Sequence, residues 1–134
     1  LLQSDLVDIM LACVRGDLDK ISPKWDEGSA VCVVLASGGY PKSYAKGYEI
    51  SGIKEAEASG SVVFHAGTIE NEAGQIVTAG GRVLGVTATA ADVKTAVKKA
   101  YDSVEKIHFT DMHYRRDIAH RALVRPEARE CRHD

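Results

Sequence analysis

No apolar run in this chain of 134 residues approaches the ~20 residues that a membrane helix needs. No leading stretch orders charged, apolar and small residues as a secretory signal does. Neither sign of charge dominates. Lys and Arg number 17 against 19 Asp and Glu, a net charge of -2. That balance argues against general nucleic-acid binding and leaves open only a local basic patch. Cysteine is scarce and odd in number: Cys13, Cys32 and Cys131 are widely spaced, and two lie in apolar surroundings. They read as reduced thiols, not a disulfide framework, and make the cytosol the default compartment. Reaction motifs are missing too. There is no P-loop, no G-x-G-x-x-G opening a helix, no C-x-x-C and no H-E-x-x-H. His65, His108, His113, His120 and His133 are scattered, and the near pair His108 and His113 has no third ligand at a useful spacing. Ser37 lacks the strand-to-helix elbow of a hydrolase nucleophile. No residue is assigned as catalytic and none as a metal ligand. Repeats and low-complexity tracts are also absent.

What remains is an ordinary globular composition, 45% apolar and 27% charged, in a chain long enough for one domain with one core. It is organised by two stretches. Ser29-Ala-Val-Cys-Val-Val-Leu-Ala36 is a near-continuous apolar, β-branched run that stops at Ser37-Gly-Gly-Tyr-Pro41. Thr78-Ala-Gly-Gly-Arg-Val-Leu-Gly-Val86 is a glycine pair followed at once by an arginine and a second apolar run. Glycine pairs permit turns that other residues resist and bare the backbone where they do so. The amides of Gly80 and Gly81 beside the planar cation of Arg82 suit a phosphate or carboxylate. Both pairs read equally as plain turns and bulges.

In chain order, Leu6, Ile9, Met10, Cys13 and Val14 recur at helical spacing, with Ser4 placed to cap and Gly16 to stop. Asp5 and Asp8 share a face, as first-turn acids that favour the helix dipole or as metal ligands. Residues 17–21 add a further turn. Trp25, the single tryptophan, is expected to pack on the sheet. Lys42 to Tyr48 is a polar loop, either simply solvated or a lid in which Lys46 meets an anion. Glu49 to Ile53 reads as a short edge strand and Lys54 to Ala58 as a helical turn. Ser61 to Thr68 reads as a strand, and Gln75 to Thr78 as the next, with a hairpin turn at Asn71-Glu-Ala-Gly74. Arg82 to Ala88 follows. Hairpin spacing predicts an antiparallel sheet and argues against βαβ winding. Thr89-Ala-Ala-Asp92 resembles a capping box, and Val93, Ala96, Val97, Ala100, Tyr101 and Val104 form the apolar stripe of a helix with its lysines solvated. Tyr114 to Leu123 is a short charged segment with room for one helical turn, and 124–134 reads as a disordered tail. The chain begins Leu1-Leu-Gln-Ser-Asp5 without methionine, as a piece of a longer polypeptide or a processed product would.

Five collinear motifs carry a resemblance: A-V-C-V-V-L-A-S-G-G-Y-P (30–41), Y-A-K-G-Y-E-I-S-G (44–52), V-F-H-A-G-T (63–68), I-V-T-A-G-G-R-V-L-G-V-T-A (76–88) and I-H-F with Y-R-R-D-I (107–118). From Leu1 to Leu123 the chain closely resembles the phosphoribosylamine–glycine ligases, also called glycinamide ribonucleotide synthetases. The resemblance implies an ATP-grasp enzyme of de novo purine synthesis. Such an enzyme activates glycine as a glycyl phosphate with ATP and Mg²⁺ and joins it to phosphoribosylamine. It implies an α+β fold in which residues 1–22 are the last helix of the ATP-grasp domain and 23–123 the C-terminal antiparallel domain. That domain would hold a sheet of about four to six strands packed with a long C-terminal helix. ATP and Mg²⁺ would then be bound by the N-terminal part of the enzyme, upstream of Leu1, and this chain alone would be inactive.

The resemblance also implies that Arg82 holds the ribose phosphate, with the amides of Gly80 and Gly81 and the strand end at His65, Gly67 and Thr68 lining the same pocket. Ser37, Gly38, Gly39 and Tyr40 would form the neighbouring wall, with Lys46 beside it. Arg115, Arg116 and Asp117 would tie the end of the chain to the domain. Three departures stand out: Ala119 replaces the family's usual glycine, Gln75 a frequent lysine, and the residues after Leu123 have no counterpart. A non-catalytic binding or interaction module derived from the same domain is the alternative.

Overall fold

The computed structural model describes residues 1–124. Its centre is a three-stranded antiparallel sheet of β1 (Ser29–Ala36), β5 (Arg82–Ala90) and β2 (Val62–His65), with β5 in the middle. Alternation along β1 buries Val31, Val33 and Leu35, which meet Ala88, Val86 and Leu84 of β5. On that face lies α3 (Val93–Val104), which inserts Ala96, Ala100 and Val104, with Ile107 and Phe109 closing the same core. One helix covers one face of a sheet, so the other face is open. Val34, Val62 and Phe64 are exposed there, all paired with Gly85 or Thr87 of β5. The expected antiparallel α+β fold is present.

The sheet departs from the single four- to six-stranded one expected. β3 (Thr68–Glu70) and β4 (Ile76–Thr78) form a separate two-stranded hairpin, closed by the Asn71–Gly74 turn. The Ser61–Thr68 run is therefore not one strand. It breaks at Ala66 and Gly67, whose amides both donate to Val83 O at 3.0 Å. Residues 49–53 make only isolated bridges, Glu49 to Val77 and Ser51 to His108, before α2 (Ile53–Ala58) begins. Nor is there a long C-terminal helix among the described residues. α3 has 12 residues, and beyond it come a paired connector and α4 (His120–Val124). The expected tail lies, except for Val124, outside the described residues.

Caps explain further differences. α1 (Leu6–Arg15) is capped by Asp5, whose carboxylate accepts from Val7 N at 2.7 Å, while the hydroxyl of Ser4 accepts from Lys24 N. Thr89 forms no capping box, because β5 continues through it to Ala90. Asp92 is itself the N-cap of α3 and accepts from Thr95 N at 2.9 Å. Trp25 does not pack on the sheet. It bridges Leu2 and is 66% exposed. α1 packs chiefly on a 3₁₀ turn at Leu18–Lys20 and leaves Leu6, Val7, Met10, Leu11 and Val14 exposed. Cys13 and Cys32 are free thiols on the surface. Ala119 sits at φ 62, a left-handed conformation that costs a side-chain-bearing residue roughly 1–2 kcal/mol.

The Asp92 cap gives a pH prediction. The backbone hydrogen bond from Thr95, then its hydroxyl, hold the Asp92 carboxyl below its ordinary value of 3.8. The stabilisation is therefore fully present above that value and is lost as pH falls below it through the lowered folded-state value. In urea titrations at stepped pH, Asp92→Asn keeps a capping oxygen but should lose stability less steeply than wild type below about pH 4. Identical slopes would refute the cap's contribution.

Candidate functional site

The site is built at the end of β5, where its register with β1 slips. Pairing runs from Ser29 with Ala90 to Leu35 with Leu84, and the next pair is Ala36 with Arg82. Val83 and Leu84 thus stand together against Leu35, and both are wholly buried. A bulge of this kind re-aims the next side chain. Arg82 is exposed, and among the described residues it makes no ion pair.

Three segments converge to hold the turn before it. Ser37, only 3% exposed, donates from its amide to Gly81 O at 2.8 Å and from its hydroxyl to Gly80 O at 2.9 Å. Gly67 O accepts from Ala79 N and Gly80 N at 2.8 and 3.1 Å. A Cβ on Gly67 would come within 2.7 Å of Gly80 Cα, and one on Gly81 would run into the Tyr40 ring. The Gly80 amide is therefore already committed and buried Gly81 lies under an aromatic ring, which leaves the Arg82 guanidinium as the open group of the turn.

Ser37, Tyr40, Gly67, Gly80, Gly81 and Arg82 are thus brought together. Gly38 packs on Asp111, whose Cβ would lie 2.7 Å from an added Cβ, and Gly39 turns at φ 92 into the cis Tyr40–Pro41 peptide. Tyr40 meets Tyr44 edge-on at 6.1 Å between centroids, and the Lys46 ammonium stands 5.9 Å from the Tyr44 ring. His65 and Thr68 pair at 2.9 Å between Nδ1 and Oγ1. His65 also lines a cleft of about 400 Å³ with Ile50, Glu55, Gln75 and Ile76, whose walls include neither Arg82 nor Tyr40. Asp111 was not anticipated. Its left-handed φ of 58 in a Thr-Asp-Met connector is a weak turn signal in sequence.

Among the described residues, no group of three or more His, Cys, Asp or Glu side chains is placed to hold a metal ion. Asp5 and Asp8 are no exception. Nor is any described helix long and apolar enough to cross a membrane. Near the chain end, Arg115 grips Asp117 through Nε and Nη2 at 2.9 and 2.7 Å, and this hydrogen-bonded pairing holds the Asp117 carboxyl below its usual range. Tyr101 anchors the segment to α3: its hydroxyl donates to Arg115 O and accepts from Ile118 N. Arg116 stands over the Tyr114 ring at 5.5 Å.

Known proteins are similar to this chain in sequence and fold. The chain is 54% identical over 124 residues to the phosphoribosylamine–glycine ligase of Synechocystis, covering 92% of this chain and 29% of that one. It is 48% identical over 128 residues to the ligase of Vibrio cholerae, 96% of this chain and 30% of that one. The bifunctional purine biosynthetic protein of Dictyostelium discoideum is 45% identical over 92% of this chain, which covers 15% of that protein. The crystal structure of phosphoribosylamine–glycine ligase from Thermotoga maritima superposes with a TM-score of 0.71 at 41% identity, over 83% of this chain and 26% of that one. The chain thus spans about three tenths of the length of the single-function relatives. The family model for the phosphoribosylglycinamide synthetase C domain matches residues 30–121, so the chain belongs to that family.

Proposed function

We propose that this chain is the C-terminal part of an ATP-dependent ligase that joins glycine to 5-phosphoribosylamine, and that it contributes to the phosphoribosyl subsite. The observation that carries the reading is the exposed Arg82 guanidinium, without an ion pair among the described residues and set by a bulge beside a rigid glycine turn. Its planar fork of donors matches a phosphate oxygen pair, and a fixed base limits the entropy lost on binding. Ser37, Gly80 and Gly81 shape the turn that carries it. Gly67 and Tyr40 pack on that turn, Gly38, Gly39 and Thr68 adjoin them along the chain, Lys46 reaches Tyr40 only through Tyr44, and His65 faces the separate cleft. ATP and Mg²⁺ belong to the part of the relatives that this chain does not span. Among the described residues no group of three or more His, Cys, Asp or Glu side chains is placed to hold a metal ion. Phosphoribosylamine and glycine are the small-molecule substrates and the upstream ATP-binding part is the partner, with the cytoplasm as the place of work.

The test is an NMR titration of the chain with glycinamide ribonucleotide, alongside Arg82→Ala and an inorganic phosphate control. Saturable shifts are expected at Gly80, Gly81 and Arg82 and should weaken about 10- to 150-fold in the variant, the worth of one charge-assisted hydrogen bond of 1.5–3 kcal/mol. Equal binding by Arg82→Ala would remove Arg82 from the subsite. Shifts confined to other residues would move the subsite elsewhere.

A further inference from the structure

The ring of Tyr40 occupies the space that a side chain at position 81 would need. An added Cβ there would lie 2.6 Å from Tyr40 Cε2 and 3.0 Å from Cγ. Gly81 directly precedes Arg82, so the ring closes one side of the peptide that sets the arginine's direction. The other side is closed by Ser37, through its bonds to the carbonyls of both Gly80 and Gly81. Tyr40 is itself held: its amide donates to Ser37 O at 3.1 Å, and its ring meets Tyr44 at 6.1 Å with planes inclined by 64°. Its hydroxyl makes no hydrogen bond among the described residues, although the residue is 41% exposed. The ring's contact area, not its polar tip, does the holding. The geometry points to Tyr40 as a positioning residue that clamps the Gly81 peptide and so fixes the direction of the Arg82 guanidinium. The loop carrying Tyr44 and Lys46 is coupled to the arginine by the same ring. This inference rests on the reading of Arg82 as an anion-binding group.

Three variants, Tyr40→Phe, Tyr40→Leu and Tyr40→Ala, are compared with wild type by two NMR readouts. One needs no ligand: ¹⁵N relaxation of the Arg82 backbone and Nε groups. The other is affinity for glycinamide ribonucleotide. Amide shifts of β1, β5 and α3 and the thermal midpoint report whether the fold is kept. Tyr40→Ala should free Arg82 on the fast timescale and weaken binding about tenfold, the low end of what losing the Arg82 contact itself would produce, with the core signals unchanged. Tyr40→Phe should restore both readouts to within about twofold of wild type, because the ring is retained. Tyr40→Leu should fall between, and it decides the matter if the alanine variant does not fold. Arg82 dynamics unchanged in the folded leucine or alanine variant would overturn the clamp. A loss in Tyr40→Phe as large as in Tyr40→Ala would also overturn it, since it would make the hydroxyl a direct ligand contact. If wild type binds no glycinamide ribonucleotide, the subsite reading fails while the relaxation data still judge the clamp.

Discussion

Gly52→Ala should destabilise the chain by about 2–5 kcal/mol, a large part of the 5–15 kcal/mol typical of a domain. Two penalties combine. Gly52 sits at φ 82, where a Cβ costs roughly 1–2 kcal/mol. Its Cβ would also run into the carbonyl of Lys106, 2.7 Å from the carbonyl carbon. Overpacking a rigid site adds about 1–3 kcal/mol more. The neighbour cannot yield cheaply, because Ile107 is wholly buried in the core and Ser51 and His108 exchange backbone bonds at 3.0 and 3.1 Å. Gly47 supplies the control. It has φ 84 but open space around its missing Cβ, so Gly47→Ala should cost only the conformational share, about 1 kcal/mol. Urea denaturation with unchanged m-values separates the two. Similar midpoints for both variants would show that the segment after α3 moves freely, contrary to its packing.

The second large effect concerns catalysis. Incubated with ATP, Mg²⁺, glycine and phosphoribosylamine, the chain alone should release no phosphate above background. A chimera in which it replaces the matched C-terminal segment of the Synechocystis ligase should be active. Phosphoryl transfer depends on positioning and on charge stabilisation at the phosphoryl group, and the described residues present neither a metal cluster nor a phosphate loop. In the chimera upstream chain is expected to cover the apolar face of α1, which is exposed at Leu6, Val7, Met10, Leu11 and Val14. Arg82→Ala in that chimera should lower kcat/KM by about 10- to 150-fold, matching the loss of one charge-assisted hydrogen bond. Turnover by the isolated chain would contradict the proposal, as would a folded but inactive chimera.

Several elements were legible because their causes are local. The β-branched run at 29–36 is a strand with those same bounds, and the stripe from Val93 to Val104 is a helix with those same ends. The Asn71–Gly74 turn closes a hairpin through the Asn71 carboxamide oxygen, which accepts from Ala73 N and Gln75 N. Errors came where a distant partner decided. Trp25 was drawn to Leu2 and leaves the open sheet face uncovered, and Thr89 was drawn into β5 by pairing with Ala30, 59 positions earlier. The caps changed hands by one residue or a few, as acceptors compete within a turn.

By itself the sequence determined which runs extend, which run coils and to which family the chain belongs, since side-chain alternation and collinear motifs are properties of neighbouring letters. Only the tertiary structure decided that the strands divide into sheets of three and two and that one residue slips at Val83. It alone decided that Arg82 turns outward while Tyr40 closes over Gly81. Those outcomes depend on register and on close approach between segments about 40 positions apart, which no local pattern encodes.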